Sequence, residues 1–361
     1  MNKLTIFIGC LISGALFGQN GSPATPYYNG FNWTQTGTTL KTALSNKVIN
    51  SHNNPITYSN IWEADKVTDL DPTDNTKVLL VYGWENGTDT DLTNDRSRGK
   101  TNNGAGNGQW NREHVFAKAL GVPSLNENII SDGGTDAHHV RSSDVQRNNT
   151  RGNLKFATGS GNSGAVTGGW YPGDEWKGDV ARMVMYMYLR YGDQCLPIYA
   201  CVGTPLTTDS NMIDTLLQWN ADDPVSTYED NRNTYHGSTT INYAQGNRNP
   251  FIDNPYLATV IWGGPMAQNR WPNIFLDAPT FSQKPVWSIY PNPSVDGTLF
   301  LQSTKTIEAV AIVSVTGQVV FQLEPNHTAN ETIMLSDIPQ GFYLVKAIIE
   351  GQATVQKLWV K

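Results

Sequence analysis

The run Gln109-Trp110-Asn111-Arg112-Glu113-His114-Val115, followed by His138-His139 and then by Asn148-Asn149-Thr150-Arg151, gathers residue types able to act on a phosphate ester. An imidazole titrates near neutral pH, so His114 can take a proton from water. Glu113 and the neutral amide oxygen of Asn148 are hard oxygen ligands, the kind Mg²⁺ accepts while keeping several of its waters. Arg151 or Arg147 can offer phosphate oxygens a planar fork of donors. Three of the six histidines fall in this stretch. The set reads as parts that hold one divalent cation on a phosphate and deprotonate a water beside it.

These residues need a scaffold. Trp110 to Phe116 reads as a strand, and Asp144 to Arg151 as a short helix. Ser143-Asp144-Val145-Gln146 has capping-box spacing, and Gly152 supplies a stop. Neighbouring residues of a regular strand point to opposite faces, so Glu113 and His114 can share a site only if the strand ends, twists or bulges there. Arg141, Arg147, Arg151 and Lys155 stand against Asp144 alone, which predicts a local basic face. The chain as a whole carries a net charge of −7, which excludes a whole-surface nucleic-acid binder and leaves any polyanion to that face.

At 361 residues the chain suits two folded units. Met1 to Gln19 reads as a signal peptide, with Lys3 ahead of the apolar run Leu4 to Phe17. That run is too short for a membrane span, and no other stretch could cross a bilayer. Cys10 would leave with it, so Cys195 and Cys201 remain as an expected small disulfide loop. Leu40 to Asn50 is spaced as a helix and Lys77 to Gly83 as a buried strand. Asp179 to Tyr191 reads as the central core helix, and a further helix is expected over Asn211 to Asp222. Gly263-Gly264-Pro265 and Asp277-Ala278-Pro279 mark a linker over 264–285. Beyond it, period-two strands predict a small antiparallel sandwich over 286–361, with no catalytic cluster.

Two resemblances sharpen this reading. Trp110-Asn111-Arg112-Glu113-His114-Val115, Asp136-Ala137-His138-His139-Val140 and Asn148-Asn149-Thr150-Arg151-Gly152-Asn153 resemble the bacterial endonuclease I family of secreted and periplasmic nucleases. Gly173 to Arg182 and Arg248-Asn249-Pro250-Phe251-Ile252-Asp253 resemble its later blocks, so the likeness runs from about Tyr27 to Trp262. It implies an α+β chain: a mixed α/β nuclease domain over 20–263 with a ββα-metal motif, then the small all-β sandwich. By motif position it also implies His114 as general base and Glu113 and Asn148 as Mg²⁺ ligands, with Mn²⁺ or Ca²⁺ as substitutes. Ser142 departs from the Pro or Ala common in members, and the Cys195–Cys201 pair does not match the disulfides of periplasmic members. Ser288-Ile289-Tyr290-Pro291-Asn292-Pro293-Ser294 through to Lys361 resembles the C-terminal sorting domain of type IX secretion cargo. That implies the type IX machinery as a partner and a secreted or cell-surface location.

Around the core set, Arg151 and His138 are expected to take part in catalysis, and Arg112, Arg141, Arg147 and Arg182 to contact substrate. For His138, His139 and Arg182 a structural part is an equal alternative, since a buried arginine needs an ion-pair partner. Asp136 orients an imidazole or forms a turn, and Asp144 belongs to the first helical turn. His52, His236 and His327 read as scattered surface residues. The expected activity is endonucleolytic hydrolysis of DNA, with RNA as a further substrate, at little sequence preference, by a monomer leaving 5′-phosphate ends. The alternatives are an extracellular ribonuclease and a non-catalytic surface protein that binds DNA.

Overall fold

The computed structural model describes residues 21–275, 287–314, 318–323, 332–349 and 352–361. The expected signal peptide, Cys10 and His327 lie outside the described residues. The chain divides into two compact units, Met1–Pro279 and Thr280–Lys361.

The first unit opens with helices α1 (Gly37–Ser51) and α2 (Tyr58–Thr68). Leu40, Leu44 and Val48 recur at the four-residue spacing that puts one side of α1 into the core. Thr57 and Asn60 close a reciprocal capping box that starts α2. An antiparallel three-stranded sheet follows, β1 (Leu70–Asp71), β2 (Asp74–Leu79) and β3 (Ser97–Gly99), with β2 in the centre. The strand expected over Lys77–Gly83 therefore straddles the end of β2. Leu80, Val81 and Tyr82 continue buried beyond it, and Val81 N–H donates to the Ser142 carbonyl.

Next come the antiparallel pair β4 (Trp110–His114) and β5 (Val140–Asp144) and the helix α3 (Val145–Arg151). The pairing runs without a shift from Trp110 opposite Asp144 to His114 opposite Val140. No bulge brings Glu113 and His114 to one face; the ladder ends at His114 instead. The cap of α3 also differs from the expected box. Asp144, not Ser143, is the cap: its Oδ1 accepts from the amides of Gln146 at 2.8 Å and Arg147 at 2.9 Å. Aspartate outcompetes the neighbouring serine because the strand aims it at the free amides of the first turn.

The small pair β6 (Gly164–Val166) and β7 (Gly169–Tyr171) leads to α4 (Lys177–Tyr191), the expected core helix. Met183, Met185, Tyr186 and Met187 are almost wholly buried in it, as flexible thioethers suit an irregular core. Around it pack the short α5 (Pro197–Ala200), α6 (Asp214–Asp222), α7 (Thr227–His236), α8 (Pro250–Asp253) and α9 (Tyr256–Trp262). The expected linker begins later than Gly264. Residues up to Phe275 still belong to this core, with Trp271 fully buried against Trp33 at 4.8 Å. Glycines and a proline mark a turn there, but the aromatic residues behind them hold the segment down.

Cys195 and Cys201 do not form the expected disulfide. Both are buried free thiols on either side of α5, and Cys201 Sγ faces the Val202 carbonyl at 3.5 Å. Burial raises both thiol pKa values, that of Cys201 to about 12. They act as small core residues.

The second unit is all-β. One sheet has the order β11 (Val319–Leu323), β10 (Ile307–Ser314), β13 (Gly341–Ile349) and β14 (Gln352–Val360); the other has β12 (Thr332–Leu335), β9 (Leu299–Ser303) and β8 (Trp287–Tyr290). Tyr343, Val345, Ala347 and Ile349 alternate into the core that the two sheets share, while Phe342 and Leu344 face outward.

Asp144 links sheet, helix and loop in the first unit, because its Oδ2 also accepts from Arg98 Nη1 at 2.6 Å and the pair is buried. Asp144→Ala removes the cap and leaves Arg98 short of a partner. Urea unfolding is expected to show a loss of about 3–5 kcal/mol. Asp144→Asn keeps the cap and should recover about 1 kcal/mol of it.

Candidate active site

The alternation of β4 distributes its side chains between two helices. Trp110, Arg112 and His114 turn toward α2, and Asn111 and Glu113 toward α3. On the α2 side, Trp110 packs on Trp62 at 5.1 Å, the Arg112 guanidinium lies 3.5 Å from the centre of the Tyr58 ring, and the His114 imidazole stacks on Tyr58 at 5.1 Å. On the α3 side, Asn148 Nδ2 donates to Asn111 Oδ1 at 2.8 Å and to the Arg112 carbonyl. Arg151 Nη1 reaches Glu113 Oε1 at 3.0 Å. At the strand's end both faces open into one cavity of about 380 Å³, whose lining includes Arg112, Glu113, His114, Asn148 and Arg151. The expected juxtaposition is met by strand termination alone.

Hydrogen bonds assign each group its free atom. His114 Nε2 lies 2.9 Å from the Gly134 carbonyl, which can only accept. The proton is therefore on Nε2, and Nδ1 carries the lone pair. Burial, with the neighbouring His139 adding to it, holds the His114 pKa well below its ordinary value, so the ring stays neutral at physiological pH. Glu113 Oε1 accepts from Tyr82 Oη at 2.9 Å as well as from Arg151, which leaves Oε2 with no hydrogen-bond partner among the described residues. Its pKa is raised by burial, against the opposing pull of Arg151 and Tyr82. Asn148 uses only its amide nitrogen, so its Oδ1 is also unengaged. Two unengaged oxygen acceptors, one carboxylate and one amide, thus line the cavity that holds an unprotonated imidazole nitrogen. That donor set fits a hard cation such as Mg²⁺, which needs few protein ligands. Among the described residues no group of three or more His, Cys, Asp and Glu side chains has metal-binding geometry, so a softer, closed site of the zinc type is not what these residues form.

Several expected site residues lie elsewhere. Arg151 borders the cavity, but its fork is committed to Glu113, to the His114 carbonyl at 3.0 Å and to the Val115 carbonyl at 2.8 Å. It fastens α3 to the end of β4, and its guanidinium is buried there rather than exposed to a phosphate. Arg147 turns away to the Thr93 carbonyl and to Ser163 and covers the Trp84 ring at 4.3 Å. Arg141 is fully buried between Asp179, at 3.2 Å, and Asp69. Arg182 makes a buried bidentate pair with Glu229 at 2.6 and 2.8 Å. The expected basic face therefore does not exist as a surface: of its four cations, two are buried, one is turned aside, and Lys155 binds the Ile198 carbonyl. Buried guanidinium groups persist because each has a carboxylate or carbonyls to satisfy it. Arg112 alone of the four expected substrate contacts borders the cavity.

His138 is also displaced from its expected part. Its Nε2 meets the Asn247 carbonyl at 3.0 Å, and its ring packs on Tyr186 and His236. His139 is the neighbour of His114, with ring centres 5.4 Å apart. Asp136 anchors this interior, accepting from Tyr186 and Tyr191 hydroxyls at 2.8 and 2.9 Å and pairing with Arg190 at 3.0 Å. His236, read from sequence as a surface residue, is fully buried, and both ring nitrogens of His52 are buried too. A histidine can enter a core in its neutral form.

Sequence reasoning missed Tyr58, Tyr82 and Gly134. Tyr82 adopts a left-handed φ of 76° that aims its hydroxyl at Glu113. Gly83, next to it, has no room for a Cβ, which would fall 2.1 Å from the Asp95 carbonyl oxygen. Tyr-Gly after an apolar run signals a turn, but nothing in it signals a partner for a residue thirty-one positions on.

Comparisons with known proteins identify the family of the first unit and the class of the second. The Endonuclease I family profile matches residues 36–256, and a secretion system C-terminal sorting domain profile matches residues 288–361. An extracellular ribonuclease of Bacillus amyloliquefaciens is 39% identical over 238 residues, covering 63% of this chain and 75% of that protein. An extracellular ribonuclease of Bacillus subtilis (strain 168) is 38% identical over 257 residues, covering 67% and 82%.

The buried histidines make stability depend on pH. Burial, partly opposed by Asp136, lowers His138 and His139 to about 4. Unfolded, each would titrate near 6.5, so the unfolded chain binds more protons between these values and stability falls as the pH drops through that window. Urea unfolding at pH 7.5 and pH 4 should differ by roughly 3 kcal/mol for each of the two. Equal stability at both values would exclude neutral, buried imidazoles.

Proposed function

This chain belongs to the endonuclease I family, and we propose that it is a metal-dependent endonuclease that cleaves DNA and RNA phosphodiesters with little sequence preference, leaving 5′-phosphates. It is a nuclease of the exported class, and its C-terminal sorting domain directs it through the type IX machinery to the cell surface or beyond. No helix among the described residues is long and apolar enough to cross a membrane.

The observation that carries the reading is the set of three unengaged atoms in one cavity: His114 Nδ1, Glu113 Oε2 and Asn148 Oδ1. Glu113 and Asn148 would hold the cation; once bound, Mg²⁺ supplies charge neutralisation at the scissile phosphate and its leaving oxygen. The chain's own residues do the rest. Gly134 keeps the proton on His114 Nε2, and Tyr58 fixes the plane of the ring, so Nδ1 meets an incoming water. As one proton of that water passes to Nδ1, the water oxygen bonds to phosphorus, the P–O3′ bond breaks and the departing 3′-oxygen takes a proton from solvent, which leaves the phosphate on the 5′ side of the downstream fragment. Arg151 and Tyr82 hold Glu113 in place throughout. Nothing in this sequence of bonds requires a 2′-hydroxyl, so ribose and deoxyribose strands are both substrates. The names of the two Bacillus relatives support RNA among them.

The test is cleavage of supercoiled plasmid and of a structureless RNA by the full chain. Mg²⁺ should support both reactions and EDTA should stop both. His114→Ala should lower the rate by about 10²- to 10⁴-fold. Asn148→Ala should raise the Mg²⁺ concentration needed for half-maximal rate. Undiminished cleavage by His114→Ala, or products with 3′-phosphates, would overturn the assignment.

A further inference from the structure

The wall formed by Tyr58 and Arg112 is shared with a second cavity of about 400 Å³, lined also by Ser59, Glu127, Asn128 and Ile130. The volume is in the range of small-ligand sites. Arg112 is held on this wall by the Tyr58 and Trp62 rings, 3.5 and 4.2 Å from its guanidinium, and by donation of Nη1 to the Tyr58 carbonyl. Its Nη2 has no partner among the described residues. Glu127 is neutralised by Lys118, which removes the one carboxylate that would repel an anion at this wall. The side chains of Ser59 and Asn128 make no hydrogen bond among the described residues, and Ile130 is 51% exposed.

We infer that this second cavity binds one unpaired nucleobase of the strand whose phosphate lies at His114, with Arg112 on the phosphate joining the two. The inference rests on the nuclease reading of the His114 cavity. Its argument is the order of chemistry along the wall. A strand leaving the His114 cavity on this side passes a fixed cation with a free donor edge. It then meets an apolar face, Ile130, flanked by an amide and a hydroxyl with free donors and acceptors. A charge for the linking phosphate, an apolar contact and an unsatisfied polar rim are what a base with its sugar requires. A base stacked inside a duplex cannot enter, so the subsite favours single strands and unpaired positions.

The experiment measures binding in EDTA, where no cleavage intervenes, by fluorescence anisotropy with the full-length protein. The probes are a labelled single-stranded oligodeoxynucleotide and a fully abasic strand of the same length. The double variant Asn128→Ala, Ile130→Ala should bind the intact strand about tenfold more weakly, for a lost hydrogen bond and lost apolar contact, and the abasic strand as the parent does. Arg112→Gln should weaken both. Equal losses on the two probes, or no loss on the intact strand, would overturn the subsite. Failure of the nuclease reading has a different signature, the absence of strand breaks when Mg²⁺ is added to the same mixtures.

Discussion

The buried Arg151 guanidinium is the constraint on which the site depends. It reaches from the last turn of α3 to the Glu113 carboxylate and to the carbonyls of His114 and Val115, so one side chain sets both the helix position and the end of the strand. Remove its charge and Glu113 would remain buried beside an uncompensated gap, with Tyr82 as its sole donor. The same contact decides which oxygen of Glu113 is occupied and which is free. The chemistry of the cavity therefore follows from a structural ion pair rather than from an exposed basic surface.

A regular strand does the rest. Because β4 keeps its register to His114, alternate residues meet two different helices, and each helix orients one half of the machinery. Tyr58 on α2 stacks on the His114 imidazole, and Asn148 on α3 presents its amide. The groups proposed for catalysis converge where the strand stops, from faces that diverge everywhere else. This arrangement is economical in sequence, since neighbouring positions can serve separate elements without a bulge.

The residues proposed to carry the chemistry were legible in the chain because Glu113, His114 and Asn148 stand in a fixed order within blocks that resemble one family, and the two-unit plan followed from the change in hydrophobic period near Trp287. The α4 core helix was legible for the same reason of period. The arginines were not. From the chain, Arg141, Arg147 and Arg151 form one basic run, but strand alternation and helix rotation send them to Asp179, Ser163 and Glu113 respectively. Long-range partners such as Tyr58, Tyr82 and Gly134 leave no local trace. The cysteines misled for a different reason: an even pair in an exported chain suggests a bridge, but each thiol has its own place in the apolar core.

That last point bears on how the first unit is held together. Among the described residues no covalent cross-link joins any two elements, and the thiols at 195 and 201 are sealed from solvent with pKa values that keep them protonated. Among the described residues of the first unit, apolar packing, hydrogen bonds and buried ion pairs join the elements, none of which an oxidant creates or a reductant removes. Both thiols thus serve, in their reduced form, as packing residues on either side of α5.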